Sequence, residues 1–218
     1  MTSEELPETP STSPRRNAAS AFSEAPAWSS VGGGWHPLHG NFSKLGYSIE
    51  WHDFATETDF DWSRSFHPGS VEICLNLAGN AEVRAVGAAV EFAPQTAGFY
   101  FQNKFTLRGM RRGGEQHQFI TIELSRDFVQ RHVGRTAATH PRLAAFLTRR
   151  NAGAFVSEAT PLTSDHLAIV MSLRMPPVFA AARRLWYHAK VLEVASAFFY
   201  QGPPAPELFC ERQKRLNQ

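Results

Sequence analysis

The stretch from Ser70 to Leu124 constrains the fold of this chain more than any other. Within it, apolar residues alternate with polar or small ones in short runs such as VEICLNL, which starts at Val71. A period of two residues is typical of a strand with one buried face. Turn-forming residues separate the runs at intervals of about 8–12 residues, without a helical pattern between them. The stretch therefore predicts a small β-barrel, which either holds one small ligand or is filled by its own side chains.

Length and composition narrow the class of protein. The 218 residues are 43% hydrophobic and 12% aromatic, which is enough for a sizeable core, and the net charge of +2 indicates no strongly charged partner. Cys74 and Cys210 are typical of free thiols in a reducing compartment. No signal-peptide pattern is present, and no run approaches the roughly 18 apolar residues of a membrane span. We therefore expect a cytoplasmic protein that is neither secreted nor membrane-spanning.

The N-terminal part is predicted to contain a tail and an arm. Residues 1–30 are rich in Ser, Thr, Pro, Glu and Ala, and their composition predicts disorder. Trp28 and Trp35 flank three consecutive glycines, which suggests a flexible arm that docks by its tryptophans. His36 and His39 lie in a Gly/Pro-rich loop without a third ligand nearby in sequence, so we predict no metal site there.

Strand alternation divides the side chains of the predicted sheet between two faces. We predict an inner, apolar face with these residues: Tyr47, Ile49, Trp51, Val71, Ile73, Leu75, Phe99 and Phe101. The opposite face is interpreted as solvated, with these residues: Glu50, His52, Glu72, Asn76 and Gln102. An apolar lining of this kind suits a dry core as well as an apolar or aromatic ligand. No catalytic residues are predicted.

The sequence becomes helical after Leu124. Short helices are predicted after Ser125 and from Pro141, another is capped by Thr163 or Ser164, and the longest runs to a stop at Gly202-Pro203-Pro204. Its apolar stripe contains Val178, Ala182, Leu185, Ala189, Leu192, Ser196 and Phe199. The apolar surface is wide enough to imply a second partner, either another helix or a second subunit. We predict Leu185, Leu192 and Phe199 as dimer contacts.

These features together resemble the ligand-sensing half of AraC-type bacterial transcription regulators, in particular the pyochelin-regulator-like branch. The resemblance runs over about residues 45–218 and includes the strand end Leu77-Ala-Gly79 and the helix Tyr187-His-Ala-Lys190-Val-Leu-Glu193. It implies a cupin-like effector barrel, helices that dimerise, and a helix-turn-helix domain that follows. In that family an N-terminal arm can also close over the bound ligand. The implied organisation is a tail at 1–30, a barrel at 31–124 and a helical dimerisation region at 125–218.

The resemblance also implies a function. We expect the effector-sensing portion of a transcription regulator, not an enzyme and without a cofactor, that forms a homodimer and has no membrane partner. The chain stops at Gln218, about where the DNA-binding domain would begin, so DNA binding is expected only through a domain absent from this chain, either truncated or lost from a gene fragment. An aromatic or siderophore-like effector is predicted inside the barrel, against four aromatic residues: Tyr47, Trp51, Phe99 and Phe101.

Two alternatives remain open at the level of sequence. A metal-dependent cupin enzyme needs a His-x-His motif with a later Glu and His, which the sequence lacks, although His52, His67 and His117 could converge from different strands. A filled barrel without a ligand would instead be a plain interaction module, with the long helix as its functional surface.

Overall fold

The computed structural model describes residues 28–200, apart from residues 105, 135, 137, 138, 150 and 151. Most of the predicted tail, the predicted helix stop at Gly202-Pro203-Pro204 and Cys210 therefore lie outside the described residues. Trp28, within the range predicted to be a tail, is buried in the barrel, so the folded part begins before the predicted boundary at residue 31.

Two antiparallel sheets are stacked on one another. The strands in the described residues are β1 (Trp35–Asn41), β2 (Tyr47–Thr56), β3 (Phe60–Asp61), β4 (Ser70–Ala78), β5 (Ala81–Ala85), β6 (Ala88–Phe92), β7 (Thr96–Gln102), β8 (Arg108–Arg111), β9 (Glu115–Ser125), β10 (Phe155–Val156) and β11 (Thr160–Pro161). The large sheet has the order β1-β2-β9-β4-β7-β10, with β11 also paired to β7. The small sheet has the order β3-β8-β5-β6. The long strands β2, β4 and β9 are adjacent at the centre of the large sheet.

Five α-helices lie in the described residues: α1 (Phe42–Leu45), α2 (Arg126–His132), α3 (Pro141–Thr148), α4 (Ser164–Arg174) and α5 (Arg183–Phe199). The predicted caps are confirmed at two of them. Ser125 Oγ accepts a hydrogen bond from Phe128 N at α2, and Thr163 forms a reciprocal capping box with His166 at α4. None of the helices in the described part of the chain is long and apolar enough to cross a membrane.

The mainly β architecture with a helical segment after it is confirmed, and the class is α+β overall. The boundary at residue 124 is less sharp than predicted. Strands β10 and β11 come from the helical half of the sequence and pair with β7 at the edge of the large sheet. The two halves therefore share one sheet, so the helices cannot separate from the barrel as an independent unit.

The apolar face of the large sheet packs against the helices. The eight apolar residues predicted to share one face do so, and they form one core with residues of α2 to α5. Their predicted position inside the barrel is wrong, because helices rather than the second sheet cover this face. The prediction that the opposite face is solvated is also wrong. Its polar residues point into the space between the two sheets and are buried.

The long helix α5 buries a different stripe from the predicted one. Its buried residues are Tyr187, Val191, Val194, Ala195 and Phe199. Leu185 is 75% exposed, Leu192 is half-buried, and Phe199 is fully buried against the sheet. The predicted dimer residues therefore do not share a surface, and Phe199 is a core residue rather than a subunit contact. The helix is apolar on more than one side, so its periodicity alone does not select the stripe that is buried.

Candidate functional site

The space between the two sheets contains the most unusual side chains of the fold. Strand alternation sends apolar side chains of β2, β4 and β9 toward the helices and the residues between them toward the small sheet. The inward set combines charged and polar residues that are at most 8% exposed: Glu50, His52, Glu72, Asn76, Gln102, Arg111, His117, Thr121 and Glu123. Burial of such groups costs free energy unless they are hydrogen-bonded. The interior therefore combines hydrogen-bonded polar groups with a buried aromatic and aliphatic cluster.

Three carboxylates lie at one end of this interior. Glu72 of β4 is directly opposite Glu123 of β9, and Glu50 of β2 is opposite Thr121 of the same strand. Each carboxylate is held by a hydrogen bond, from Trp35 Nε1 to Glu50 Oε2 (2.8 Å), from the Tyr100 hydroxyl to Glu72 Oε1 (2.6 Å), and between His67 Nδ1 and Glu123 Oε2 (2.6 Å).

A small cavity remains between these carboxylates, Trp28, Ser65 and Thr121. It offers about 10 Å³ to the centre of a water molecule, which is about the size at which a cavity holds one water. This end of the interior is almost filled. A ligand larger than water therefore requires a side chain to move out.

Arg111 lies at the other end of the interior and is fully buried. Its Nη1 donates to Asn76 Oδ1 (3.0 Å), and its guanidinium carbon is 3.3 Å from the centre of the Phe119 ring and 5.1 Å from that of Trp62. Its Nε has no hydrogen-bond partner, and no carboxylate forms a salt bridge with it, among the described residues. Burial lowers the pKa of Arg111. The guanidinium is stabilised by the two aromatic faces, by the Asn76 amide, by a hydrogen bond from Nη2 to Cys74 Sγ (4.0 Å) and by the charge of Glu72.

Two buried histidines lie near Arg111. His52 is stacked on Phe119 with ring centres 4.1 Å apart, and its Nε2 is 3.2 Å from Thr121 Oγ1. Burial, and then the charge of Arg111, hold the pKa of His52 well below 6.5, so this imidazole is neutral at pH 7. His117 Nε2 donates to the Arg112 carbonyl oxygen (2.8 Å). Burial also lowers the pKa of His117.

Trp28 closes the interior from the side of the N-terminal segment. Its indole is 4% exposed and lies among five rings, those of His52 (4.4 Å), Phe60 (5.5 Å), Phe54 (6.1 Å), Trp62 (6.2 Å) and Phe119 (6.3 Å between ring centres). Glycines in the following turn allow the chain to bring Trp28 into the barrel. Gly32 has a φ of 59°, and a Cβ at Gly34 would be 2.5 Å from Phe54 Cβ. The predicted docking of this segment by its tryptophans is confirmed, since Trp35 also reaches Glu50.

The interior contains hydrogen-bonding groups, aromatic rings and an unreactive thiol. Burial raises the pKa of the Cys74 thiol to about 12, so it stays protonated and unreactive. Among the residues that the structure describes, no group of three or more His, Cys, Asp or Glu could hold a metal ion, so His52, His67 and His117 do not converge in one. Hydrogen-bond acceptors at one end, a guanidinium at the other and aromatic rings between them are the features of a ligand site.

The four aromatic residues predicted to bind the effector lie outside this interior. Tyr47 is 5.4 Å from Phe128, Phe101 is 4.6 Å from Phe146 and Phe99 is 5.4 Å from Phe199 between ring centres, while the Arg174 guanidinium carbon is 4.1 Å from the centre of Trp51. All four are core residues between sheet and helices. A role for them in ligand binding stays a prediction.

Sequence reasoning missed the interior residues because it assigned them to solvent. One signal was available. Glu50, Glu72 and Glu123 each lie between two large apolar residues within a long strand. Like charges on directly paired residues destabilise an exposed sheet, so carboxylates repeated on strands that can pair indicate a specific polar site.

Comparisons with known proteins found distant likenesses to solved structures and one family match. No curated protein matches the chain. Among solved structures, it is similar to the Cupin_2 domain of an XRE family transcriptional regulator from Enterobacter cloacae, with 15% identity and a TM-score of 0.33, over 41% of this chain and 93% of that one. It is also similar to a Cupin 2 conserved barrel domain protein from Salinispora arenicola, with 14% identity and a TM-score of 0.34, over 58% of this chain and 100% of that one. An HTH_3 family transcriptional regulator from Vibrio cholerae has 18% identity and a TM-score of 0.33, over 41% of this chain and 49% of that one.

The family comparison extends over much more of the chain. Residues 44–207 match the family described as the N-terminal domain of the regulatory protein PchR. The matched range contains β2 to β11 and helices α2 to α5. It confirms the predicted resemblance to the pyochelin-regulator branch. The chain therefore belongs to the family of N-terminal domains of the regulatory protein PchR.

Proposed function

We propose that this chain is the small-molecule-sensing and dimerisation portion of an AraC-type transcription regulator, with its effector site in the interior between the two sheets. One observation carries the proposal. The interior retains three carboxylates and an arginine, all buried, around an indole supplied by a segment outside the sheets. Groups of this kind destabilise a core that serves packing alone, and they are common where a ligand must be recognised.

The environment of Trp28 indicates the class of effector. Five rings surround a planar indole, and the hydrogen-bonding groups of Glu50, Glu72 and Thr121 line the cavity beside it. A planar aromatic molecule with polar substituents that replaced Trp28 would find the same ring contacts and additional polar partners. This supports the predicted aromatic or siderophore-like effector and moves its site from Trp51 to Trp28.

The same residues support a function other than catalysis. Cys74 is protonated and His52 is neutral and buried, so neither is poised as a nucleophile or as a general acid at pH 7. The family is one of regulatory domains. We therefore propose that the chain is not an enzyme. A metal-dependent cupin enzyme is disfavoured by the lack of a metal-ligand group among the described residues.

An exposed apolar surface supports dimerisation. Around the turn between α4 and α5, Met171 is 50%, Met175 67%, Phe179 90% and Leu185 75% exposed. Large apolar residues clustered in sequence and exposed in this way are typical of an interface. We propose this surface, in place of the stripe through Leu192 and Phe199, as the contact in a homodimer. Regulation of transcription would then depend on the DNA-binding domain of the parent regulator.

The effector site is tested by titration with salicylate and 2,3-dihydroxybenzoate, each with and without ferric iron. We expect at least one of these probes to raise the melting temperature and to change the fluorescence of Trp28. Trp51→Phe provides the matched control, because it removes a tryptophan from the opposite face of the same sheet. The proposed site is contradicted if Trp51→Phe abolishes the fluorescence response to a bound probe and Trp28→Phe leaves it unchanged.

The dimer surface is tested separately by light scattering. Phe179→Glu is expected to convert a dimer into a folded monomer, because it places charge in an exposed apolar patch without touching the core. Val86→Glu is the control, since Val86 is 86% exposed and lies in the turn between β5 and β6. A native chain that is monomeric at tens of micromolar would contradict the proposed dimer.

A further inference from the structure

A second cavity lies outside the barrel interior, where the edge of the large sheet meets the last turn of α5. Its volume is about 630 Å³, within the range of about 300–1,000 Å³ that is typical of small-molecule sites. The β7 and β10 strands form its floor, β6 forms one wall, and Ala197 and Phe198 of α5 form another. The cleft is thus present without any rearrangement, in contrast to the filled interior.

The walls of this cleft are aromatic. Phe99 and Phe155 line it from the sheet, with ring centres 5.8 Å apart, and Phe198 lines it from α5. Aromatic walls on two sides bind planar molecules through buried area and through offset or edge-on ring contacts. Beyond the rings, small side chains such as Ala97 leave the space between them open.

Two imidazoles supply the hydrogen-bonding groups of the cleft. His140 packs edge-on against Phe99, with ring centres 5.2 Å apart at 89°, and its backbone N–H donates to the Phe199 carbonyl oxygen (2.8 Å). Its Nδ1 is buried and has no hydrogen-bond partner among the described residues. His166 is stacked on Phe198, and its Nδ1 already accepts a hydrogen bond from Thr163 N. His140 Nδ1 is enclosed by the protein, whereas the Nε2 atoms of His140 and His166 are neither enclosed nor hydrogen-bonded among the described residues. His140 Nε2, on the ring that packs against Phe99, is therefore open to a ligand.

The charge of the cleft narrows the ligand class. Burial lowers the pKa of both His140 and His166, so both are neutral at pH 7. No lysine or arginine is among the described residues that line the cleft, and Glu158 is part of the lining. Arg142 lies close enough to His140 to lower its pKa further but does not line the cleft. An anionic ligand would thus meet a carboxylate and no neutralising cation.

We propose that this cleft binds an uncharged planar aromatic molecule with a hydroxyl group, which packs between Phe99, Phe155 and Phe198 and hydrogen-bonds to His140 Nε2. The cleft is a second ligand site, separate from the interior and from the effector proposed to bind there. A molecule bound here contacts both the sheet edge and the last turn of α5. It therefore connects the barrel to α5, which is one of the two helices that carry the exposed apolar surface.

The test uses 2-naphthol as the probe, with naphthalene and 2-naphthoate as matched ligands. Binding is followed by the fluorescence of the naphthalene ring. We expect 2-naphthol to bind about threefold to tenfold more tightly than naphthalene, which is the effect of one neutral hydrogen bond. The anionic 2-naphthoate should bind more weakly than 2-naphthol. Equal affinities of 2-naphthol and naphthalene would overturn the role of His140.

Two variants locate the bound probe. His140→Phe keeps an aromatic ring beside Phe99 and removes the nitrogen, so we expect it to remove the preference for 2-naphthol over naphthalene. Ala197→Trp fills the cleft from an exposed helical position and should abolish binding of both probes. Ala189→Trp is its control, because Ala189 is exposed on the same helix and outside the cleft lining.

The possible outcomes separate this proposal from others. Binding that survives Ala197→Trp would place the probe elsewhere and overturn the proposal. A variant that ends at Tyr200 is compared with the full chain. If only the shortened variant binds 2-naphthol, the cleft is assigned to the residues after Tyr200, and the proposed ligand site is overturned. Neither result bears on the response of Trp28 to a ligand in the interior, so the two proposed sites fail or succeed independently.

Discussion

The two faces of the large sheet are both buried, yet they are built from opposite kinds of residue. One face is apolar where it packs against α2 to α5. The other carries carboxylates, histidines and amides beneath the small sheet. The first face stabilises the fold through burial of apolar area. The second reduces that stability and provides chemical groups, which is the division expected of a scaffold that carries a ligand site.

Ile73→Asp should produce the largest effect and tests whether the apolar face alone holds the sheet to the helices. Ile73 is fully buried on β4, in the core shared with the helices. A carboxylate there has no partner, so we expect a loss of about 4 kcal/mol or more of unfolding free energy, or loss of folding. Urea denaturation followed by circular dichroism measures it. Glu72→Gln, on the adjacent residue and the opposite face, should still fold, and equal losses in both variants would remove the distinction.

A buried tyrosine hydroxyl donates a hydrogen bond on each side of the large sheet, so the same Tyr→Phe substitution can be compared on both faces. Tyr100 donates to the Glu72 carboxylate (2.6 Å) in the interior, and Tyr187 donates to the Leu173 carbonyl oxygen (2.9 Å) among the helices. Hydrogen bonds to charged groups contribute more than neutral ones. We expect Tyr100→Phe to cost about 1.5–3 kcal/mol and Tyr187→Phe about 0.5–1.5 kcal/mol. A larger loss for Tyr187→Phe would show that the interior carboxylates do not depend on their donors.

Acid should weaken the fold in part through the interior, where His52 is fully buried. The pKa of His52 in the folded chain is well below 6.5, so below pH 6.5 the unfolded chain binds a proton that the folded chain does not. Stability is therefore complete above pH 6.5 and falls by about 1.4 kcal/mol per pH unit below it for this residue. His52→Phe should reduce the slope of unfolding free energy against pH between 6.5 and 5. Parallel slopes for the two chains would contradict the buried, neutral state of His52.

Leu185→Gln should have the smallest effect on the stability of the subunit. Leu185 is exposed, whereas Phe199 of the same helix is fully buried against the sheet. We expect the unfolding free energy of the monomer to change by no more than about 0.5 kcal/mol for Leu185→Gln. Phe199→Ala, the control, should lose about 3–5 kcal/mol. Similar losses of unfolding free energy at both positions would mean that α5 packs against the sheet through a different set of residues.

Strand periodicity predicted which residues share a face but not what covers that face. Tyr47, Ile49 and Trp51 fall together because successive side chains alternate, which is a local property of the backbone. Whether helices or a second sheet lie above them depends on contacts between distant parts of the chain. The apolar face was therefore placed in the barrel, and Glu50 and His52 were placed in solvent.

The helical part shows the same limit. The caps at Ser125 and Thr163 were predictable because each depends on residues within one turn. The buried stripe of α5 was not, because apolar residues occur on several sides of the helix and the sheet selects one of them. The docking of Trp28 is predictable, because an indole next to flexible glycines needs an apolar environment. Its position among five rings is not, because those rings come from distant parts of the barrel.

The position of Trp28 has a consequence for where this protein can be divided. The family match begins at residue 44, after Trp28 and after the whole of β1. A shortened chain that began there would leave an indole-sized hole among the aromatic rings of the barrel and would expose the hydrogen-bonding edge of β2, to which β1 is paired. Unfilled volume and open strand edges both favour aggregation. The smallest stable unit is thus longer than the range by which its family is recognised.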